Sequence, residues 1–403
     1  MKTEKNKKKE AGAKINDLRI NDCRYAGGAM DNLKLLGDVF AHSLCGWILA
    51  RAGANRLGPW VTPTLVFAAN APDVADLFSN LGLRLPWAAP VAYLSQCREL
   101  SHSLIGLLVQ SLALALLVWA LGWVWRAKLH ERPRLWAAVL ISALGVFSHL
   151  LLDWFNTYGV RPWLPWNGTW YYGDMVSIVD PWMWLILGAG VFLGVKQSWG
   201  VRMLCLFLCA AATSVFLFAV RTKMAPWWTF GVWLALLGLV ALLGVTVFNA
   251  RPPQAVARVC LLFWTVYLAA LLVGSRTATR QAFDFWKKTH AGASLFRISA
   301  NPRPAVPWRF DVLAQTKDDI ERVDVDLLRG TLKFHPLNPA LKANLNDQVL
   351  LGIQNTEEYR AWRAFARHPV WERRGNQEVR LGDMRYRLLE QDDWSELSVP
   401  AAP

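Results

Sequence analysis

The residues best suited to chemistry are His149 and Asp153, four apart inside the apolar stretch from Leu135 to Phe155. Residues at i and i+4 share a helix face, so the imidazole and the carboxylate point the same way. Ionisable side chains are costly in hydrocarbon, and those that a membrane helix keeps usually face a cavity or a partner. An imidazole nitrogen beside a carboxylate oxygen suits Zn²⁺ or Mn²⁺. One structural His–Asp hydrogen bond would also satisfy the pair. The other polar groups near segment ends, His42, Asn70, Asp73, His102 and Asp180, argue for more than that.

These groups need a membrane domain to position them. Apolar runs at 103–125, 135–155, 178–195, 202–220, 227–248 and 258–274 reach or approach the roughly 20 residues that span hydrocarbon. Shorter apolar stretches at 38–50 and 60–71 read as short tilted spans or a re-entrant pair. The expected class is an all-α polytopic membrane domain of six to eight segments with a small C-terminal α+β soluble domain. The chain has 23 Trp residues, and many flank the segment ends, as an interfacial belt does. Alternation across the bilayer puts the start of 38–50, the end of 60–71, the start of 103–125, the end of 135–155 and the start of 178–195 on one side. His42, Asp73, His102, His149, Asp153 and Asp180 therefore map to a common membrane face.

Three parts follow along the chain. Residues 1–34 form a basic tail without a signal peptide's apolar core, and their composition reads as disordered. Residues 35–274 form the membrane domain. Residues 275–403 form a polar, extramembrane appendage, with strands expected at Trp308–Leu313, Val323–Leu328 and Val379–Leu389. A helix is expected over Thr356–Arg367, N-capped by Thr356.

The net charge of +14 does not imply a nucleic-acid partner, because the basic residues cluster in the connections between apolar segments. Connections 51–59, 126–134, 196–201 and 249–258 carry Arg or Lys, whereas 156–177 and 221–226 carry fewer. By the positive-inside rule the polar face and the appendage lie outside the cytoplasm, although the basic tail argues the other way. The six Cys residues show no disulfide framework; Cys205, Cys209 and Cys260 sit in apolar spans as small hydrophobes.

Several short motifs carry a family likeness. They are Met30-Asp31-Asn32-Leu33, His42-Ser43-Leu44, Asn70-Ala71-Pro72-Asp73, Cys97-Arg98-Glu99-Leu100-Ser101-His102-Ser103, the stretch from His149 to Gly159, and Asp180-Pro181. Together they resemble bacterial and archaeal membrane-bound, metal-dependent hydrolases, the family that includes the LexA-regulated inner-membrane hydrolase. The likeness covers residues 30–185. Cys97 stands where that family has His, Ala75 stands where it has a second Asp, and Lys34–Ala41 looks like an insertion. A thiolate can still ligate Zn²⁺, whereas Asp76 is turned by about 100° from the Ala75 position on a helix.

The resemblance implies an inner-membrane, metal-dependent hydrolase. The expected metal ligands are His42, Asp73, His102, His149, Asp153 and Cys97, holding a divalent ion, Zn or Mn. Asp180 is a ligand or orients one, and Arg98 could hold a phosphate bidentately. A site at the membrane surface with a Trp-rich lip points to membrane lipids as surroundings and to an amphiphilic substrate such as a lipid-linked phosphoester. The competing readings are an ion-coupled transporter or channel, or a catalytically silent membrane scaffold.

Overall fold

A computed structural model describes residues 29–74, 100–124, 133–193, 199–247, 251–335, 340–375, 378–386 and 397–400. Its helices are α1 (Ala29–Ala52), α2 (Val61–Ala68), α3 (Leu104–Val124), α4 (Leu135–Phe155), α5 (Pro181–Phe192), α6 (Trp199–Arg221), α7 (Trp227–Thr246) and α8 (Pro253–Thr289). Two 3-10 turns, Ala71–Asp73 and Leu100–His102, follow α2 and precede α3.

Five of these helices, α3, α4, α6, α7 and α8, are long and apolar enough to cross a membrane. The chain is thus a membrane protein. The apolar run 178–195 yields a helix of 12 residues, because Asp180 is extended and caps it and Leu193 is extended and closes it. The run at 38–50 lies within the 24-residue α1, and the run at 60–71 gives the eight-residue α2.

Two glycines set how the helices that carry the site approach one another. A Cβ on Gly46 of α1 would stand 2.6 Å from the Leu65 carbonyl oxygen, and one on Gly145 of α4 would stand 2.5 Å from Ala68 Cβ. Real Cβ atoms do not come that close, so α2 is held against both helices only because neither position has a side chain. Leu65, Ala68 and Ala69 are fully buried there.

The larger core joins Leu44 and Ile48 of α1 to Trp184 and Leu187 of α5, Phe216 of α6, Trp233 of α7 and Leu271 of α8. Much of the outward surface is apolar, with Leu108, Leu112, Phe207, Leu242 and Phe263 exposed. That is the surface a bilayer covers.

Among the described residues the appendage has seven strands: β1 (Arg297–Pro302), β2 (Arg309–Gln315), β3 (Ile320–Asp326), β4 (Thr331–His335), β5 (Pro369–Arg374), β6 (Glu378–Asp383) and β7 (Leu397–Pro400). β1 to β4 form one antiparallel sheet in sequence order, and β5 to β7 form a second. Helices α9 (Gln348–Leu351) and α10 (Glu357–Phe365) lie between them in sequence. The Thr356 hydroxyl accepts from the Tyr359 amide and caps α10. The expected strands at 308–313 and 323–328 appear as β2 and β3; β6 ends at Asp383, short of the expected Leu389. Helix α8 runs through residue 274 without a break, and Ala278 and Ala282 pack on Phe310, Val312 and Val323 of the first sheet.

The second sheet docks on the connection that leaves α4. Arg385 is fully buried, bonds Asp383 at 2.7 Å and 3.0 Å, and donates to the Thr157 carbonyl at 2.7 Å. Arg367 grips Asp174 bidentately at 2.7 Å and 2.9 Å. Tyr158 packs among Tyr359, Trp362 and Phe365. The appendage therefore sits at the same end of the bundle as His149 and Asp153. Burial opposes ionisation of Asp383, but Arg385 beside it holds the carboxyl below its usual range. Its contribution to stability is present above about pH 4 and fades as pH falls through the lowered folded value.

Arg385→Met should cost about 3–5 kcal/mol of appendage stability, because it leaves Asp383 buried without its main partner. Hydrogen exchange of β5 and β6 would measure it. An effect below about 1 kcal/mol would mean that apolar packing alone holds the dock.

Candidate metal centre

Four side chains meet where α2 and α3 begin or end beside the C-terminal turns of α4. Asp73 comes from the turn after α2, His102 from the turn before α3, and His149 and Asp153 from α4. One ligand atom from each can be chosen so that all lie within 4.8 Å of one another. His102 Nε2 is 3.0 Å from Asp73 Oδ1 and 3.3 Å from Asp153 Oδ2. His149 Nε2 is 3.5 Å from Asp73 Oδ1 and 3.3 Å from Asp153 Oδ2. The two Nε2 atoms are 3.1 Å apart.

The backbone decides what these atoms can be. His149 Nδ1 lies 2.8 Å from the Ala69 carbonyl oxygen, which can only accept, so Nδ1 carries hydrogen and donates. The neutral ring then turns a bare Nε2 lone pair toward the other three groups. His102 Nδ1 pairs with the Ser101 hydroxyl at 2.9 Å, which leaves its Nε2 to face the cluster as well. The His149 lone pair and two carboxylates cannot share so small a space without protons or a cation between them, supplied by His102 Nε2–H, an imidazolium or a metal ion.

The donor set fits a metal. Tetrahedral N and O ligands at about 2.0–2.2 Å from Zn²⁺ stand about 3.3–3.6 Å apart, close to the separations present here. The outer nitrogens are already held by Ala69 and Ser101, as the imidazoles of metal sites usually are. His102 and His149 are fully buried and Asp153 nearly so; Asp73, 15% exposed, is the most open of the four. Burial alone would raise the Asp73 carboxyl, but His149 and His102 hold it well below the usual carboxylate range.

The other expected site residues fall differently. His42 stacks on His149 with ring centroids 3.8 Å apart, and its Nε2 lies 3.6 Å from Asp153 Oδ1. It lines the cluster but is not among the four side chains whose ligand atoms converge within 4.8 Å of one another. Asp180 is not brought into the group. Its Oδ1 accepts from the Trp182 and Met183 amides at the start of α5, and its Oδ2 accepts from the Tyr267 hydroxyl at 2.8 Å. Burial pushes the Asp180 carboxyl up to about 6, against the pull of the Met183 amide and the Tyr267 hydroxyl. Cys97, Arg98, Ala75 and Asp76 lie outside the described residues.

Asn70 donates to the Ser43 hydroxyl at 3.0 Å and ties the end of α2 to α1. Asn156 Oδ1 accepts from the Tyr158 amide and forms the turn after α4. Sequence reasoning gave no role to the Ala69 carbonyl or the Ser101 hydroxyl. A carbonyl leaves no residue-type signal, whereas Ser101 sits next to His102 and could have been found.

Residues 38–225 match the model of the YdjM inner membrane protein family. This stretch contains all four convergent residues, and its family description agrees with a membrane location. No match was found among curated proteins or among solved structures.

Purified protein should bind one divalent transition metal tightly at this cluster. His149→Ala and Asp153→Ala should each weaken binding by at least roughly 100-fold, more than loss of an outer-shell partner costs. Elemental analysis and competition with a chromogenic chelator would measure it. Unchanged metal content in both variants would rule out the ligand assignment.

Proposed function

We propose that this chain is a membrane-embedded, metal-dependent hydrolase that works at the membrane surface on an amphiphilic substrate such as a lipid-linked phosphoester. The observation that carries the reading is the convergence of Asp73, His102, His149 and Asp153 on a space that calls for a cation. These four residues would hold a divalent ion, Zn or Mn. Such an ion, when bound, supplies Lewis acidity that polarises a scissile ester and acidifies water.

The protein's own residues do the positioning. The Ala69 carbonyl fixes the plane and the proton of His149, and His42 stacks on the same ring. Ser101 orients His102. Asp153, nearly fully buried, keeps its charge close to both imidazoles in a low-dielectric setting, where electrostatic interactions are stronger than in water. The loop after α4 supplies Trp163 and Trp166, both exposed, as interfacial residues beside the site. Arg98 and Cys97 remain proposed participants from the sequence, as a phosphate-holding group and a thiolate ligand.

The site and the appendage would face away from the cytoplasm. Arg51, Arg56, Arg134 and Arg258 gather at the opposite helix ends, which the positive-inside rule assigns to the cytoplasmic side.

Metal-loaded protein in mixed micelles should hydrolyse some member of a panel of long-chain phosphomonoesters and phosphodiesters. Chelation should abolish turnover and Zn²⁺ or Mn²⁺ should restore it. Asp153→Asn should lower kcat/KM by at least roughly 100-fold, given its place in the cluster. Turnover that survives Asp153→Asn, or none across the panel from protein shown to be metal-loaded, would contradict the reading.

A further inference from the structure

The end of the bundle opposite the cluster carries a group of cations that the hydrolase reading does not use. Arg51 lies in the last turn of α1, Arg56 in the 3-10 turn Ala54–Leu57, and Arg258 in the first turns of α8. The fold draws them together. Arg258 Nε donates to the Ala52 carbonyl at 2.8 Å, and a Cβ on Gly53 would stand 3.4 Å from Arg258 Nη2. Arg56 Nη2 donates to Gln254 Oε1 at 2.9 Å.

Arg51 is the unusual member. A lipid-facing arginine near a helix end normally extends its guanidinium into water, yet Arg51 is only 8% exposed. Among the described residues its five N–H donors meet one carbonyl, Leu193 O, at 3.4 Å. The polarisable groups near it are Cys205 and Cys260, and among the described residues no carboxylate pairs with Arg51, Arg56 or Arg258. Among the described residues at this end, 51–60, 133–134, 199–202 and 251–258 contain no Asp or Glu. A buried guanidinium without a counter-charge is costly, and a phosphate oxygen pair is the partner that best matches its planar donors.

The level of this group identifies the source of the phosphate. α4, α6 and α8 begin here, and α1, α5 and α7 end here. The ends of membrane helices lie at headgroup depth, where a phospholipid can bring its phosphate laterally to Arg51. We propose that Arg51, Arg56 and Arg258 form a binding site for the phosphodiester of an anionic phospholipid in the leaflet at this end. A zwitterionic headgroup would bring an ammonium as well, and among the described residues the site has no carboxylate to receive it. The site is independent of the metal cluster at the other end.

Native mass spectrometry of the full chain in mild detergent tests this with phosphatidylglycerol, phosphatidylcholine of the same acyl chains, and inorganic phosphate as probes. Wild-type protein should hold phosphatidylglycerol about fivefold or more tightly than phosphatidylcholine. Arg51→Gln and Arg258→Gln should each lower phosphatidylglycerol affinity by about fivefold, with thermal unfolding used to verify the fold. If Arg51→Gln does not fold, Arg56→Gln and Arg258→Gln, at more exposed positions, carry the test. Unchanged phosphatidylglycerol affinity in the folded variants, or equal affinity for the two lipids, would overturn the proposal. Displacement of phosphatidylglycerol by inorganic phosphate would also overturn it, because the ligand would then be a soluble anion.

Discussion

The hydrogen bond from His149 Nδ1 to the Ala69 carbonyl is the constraint from which the chemistry of this protein follows. It is 2.8 Å long, buried, and made to a group that can only accept. It leaves His149 with one inward nitrogen whose lone pair calls for a hydrogen-bond donor or a cation. The facing groups are His102, Asp73 and Asp153. An imidazole whose outer nitrogen is held and whose inner nitrogen faces carboxylates is already arranged as a metal ligand.

That bond depends on backbone packing. Ala69 reaches His149 because α2 is wedged between Gly46 of α1 and Gly145 of α4, where any side chain would collide with Leu65 or Ala68. Asn70 then fastens the end of α2 to Ser43, one residue after His42, and the next turn presents Asp73. The rest of the molecule supports this corner. The apolar core of α1, α5, α6 and α8 fixes α1, and the appendage clamps the loop after α4 through Arg385, Arg367 and Tyr158. The two ends of the bundle carry opposite chemistry, carboxylates and imidazoles at one and, among the described residues, guanidinium groups bonded only to neutral acceptors at the other.

Much of the site was legible because it obeys simple periodicities. His149 and Asp153 lie one helical turn apart in an apolar run, and the ends of alternate segments must return to one face. That logic located Asp73 and His102 as well, but it could not separate the convergent side chains from their neighbours. His42 and Asp180 share the same face by sequence, yet the first stacks beside the cluster and the second caps α5. Asp180-Pro181 carried its own signal, since Asp at N-cap followed by Pro at N1 is a helix start.

The appendage was read in part for related reasons. β3 alternates apolar Ile320, Val323 and Val325 with charged residues and β2 holds the run Val312–Ala314, whereas β1 and β5 carry Pro at an end and β4 is only five residues long, so these owe more of their pairing to neighbours in the sheet. The continuation of α8 past residue 274 was masked by Arg276, Arg280 and Lys287, although Ala278 and Ala282 keep the i, i+4 spacing that packs on the sheet. X-ray absorption at the zinc edge of zinc-loaded protein reads directly whether the four convergent side chains hold a metal. Ligation by Asp73, His102, His149 and Asp153 should give N and O scatterers at about 2.0–2.2 Å, with the outer-shell signature of imidazole that weakens in His102→Ala. A spectrum without imidazole, or one unchanged by His102→Ala, would contradict it.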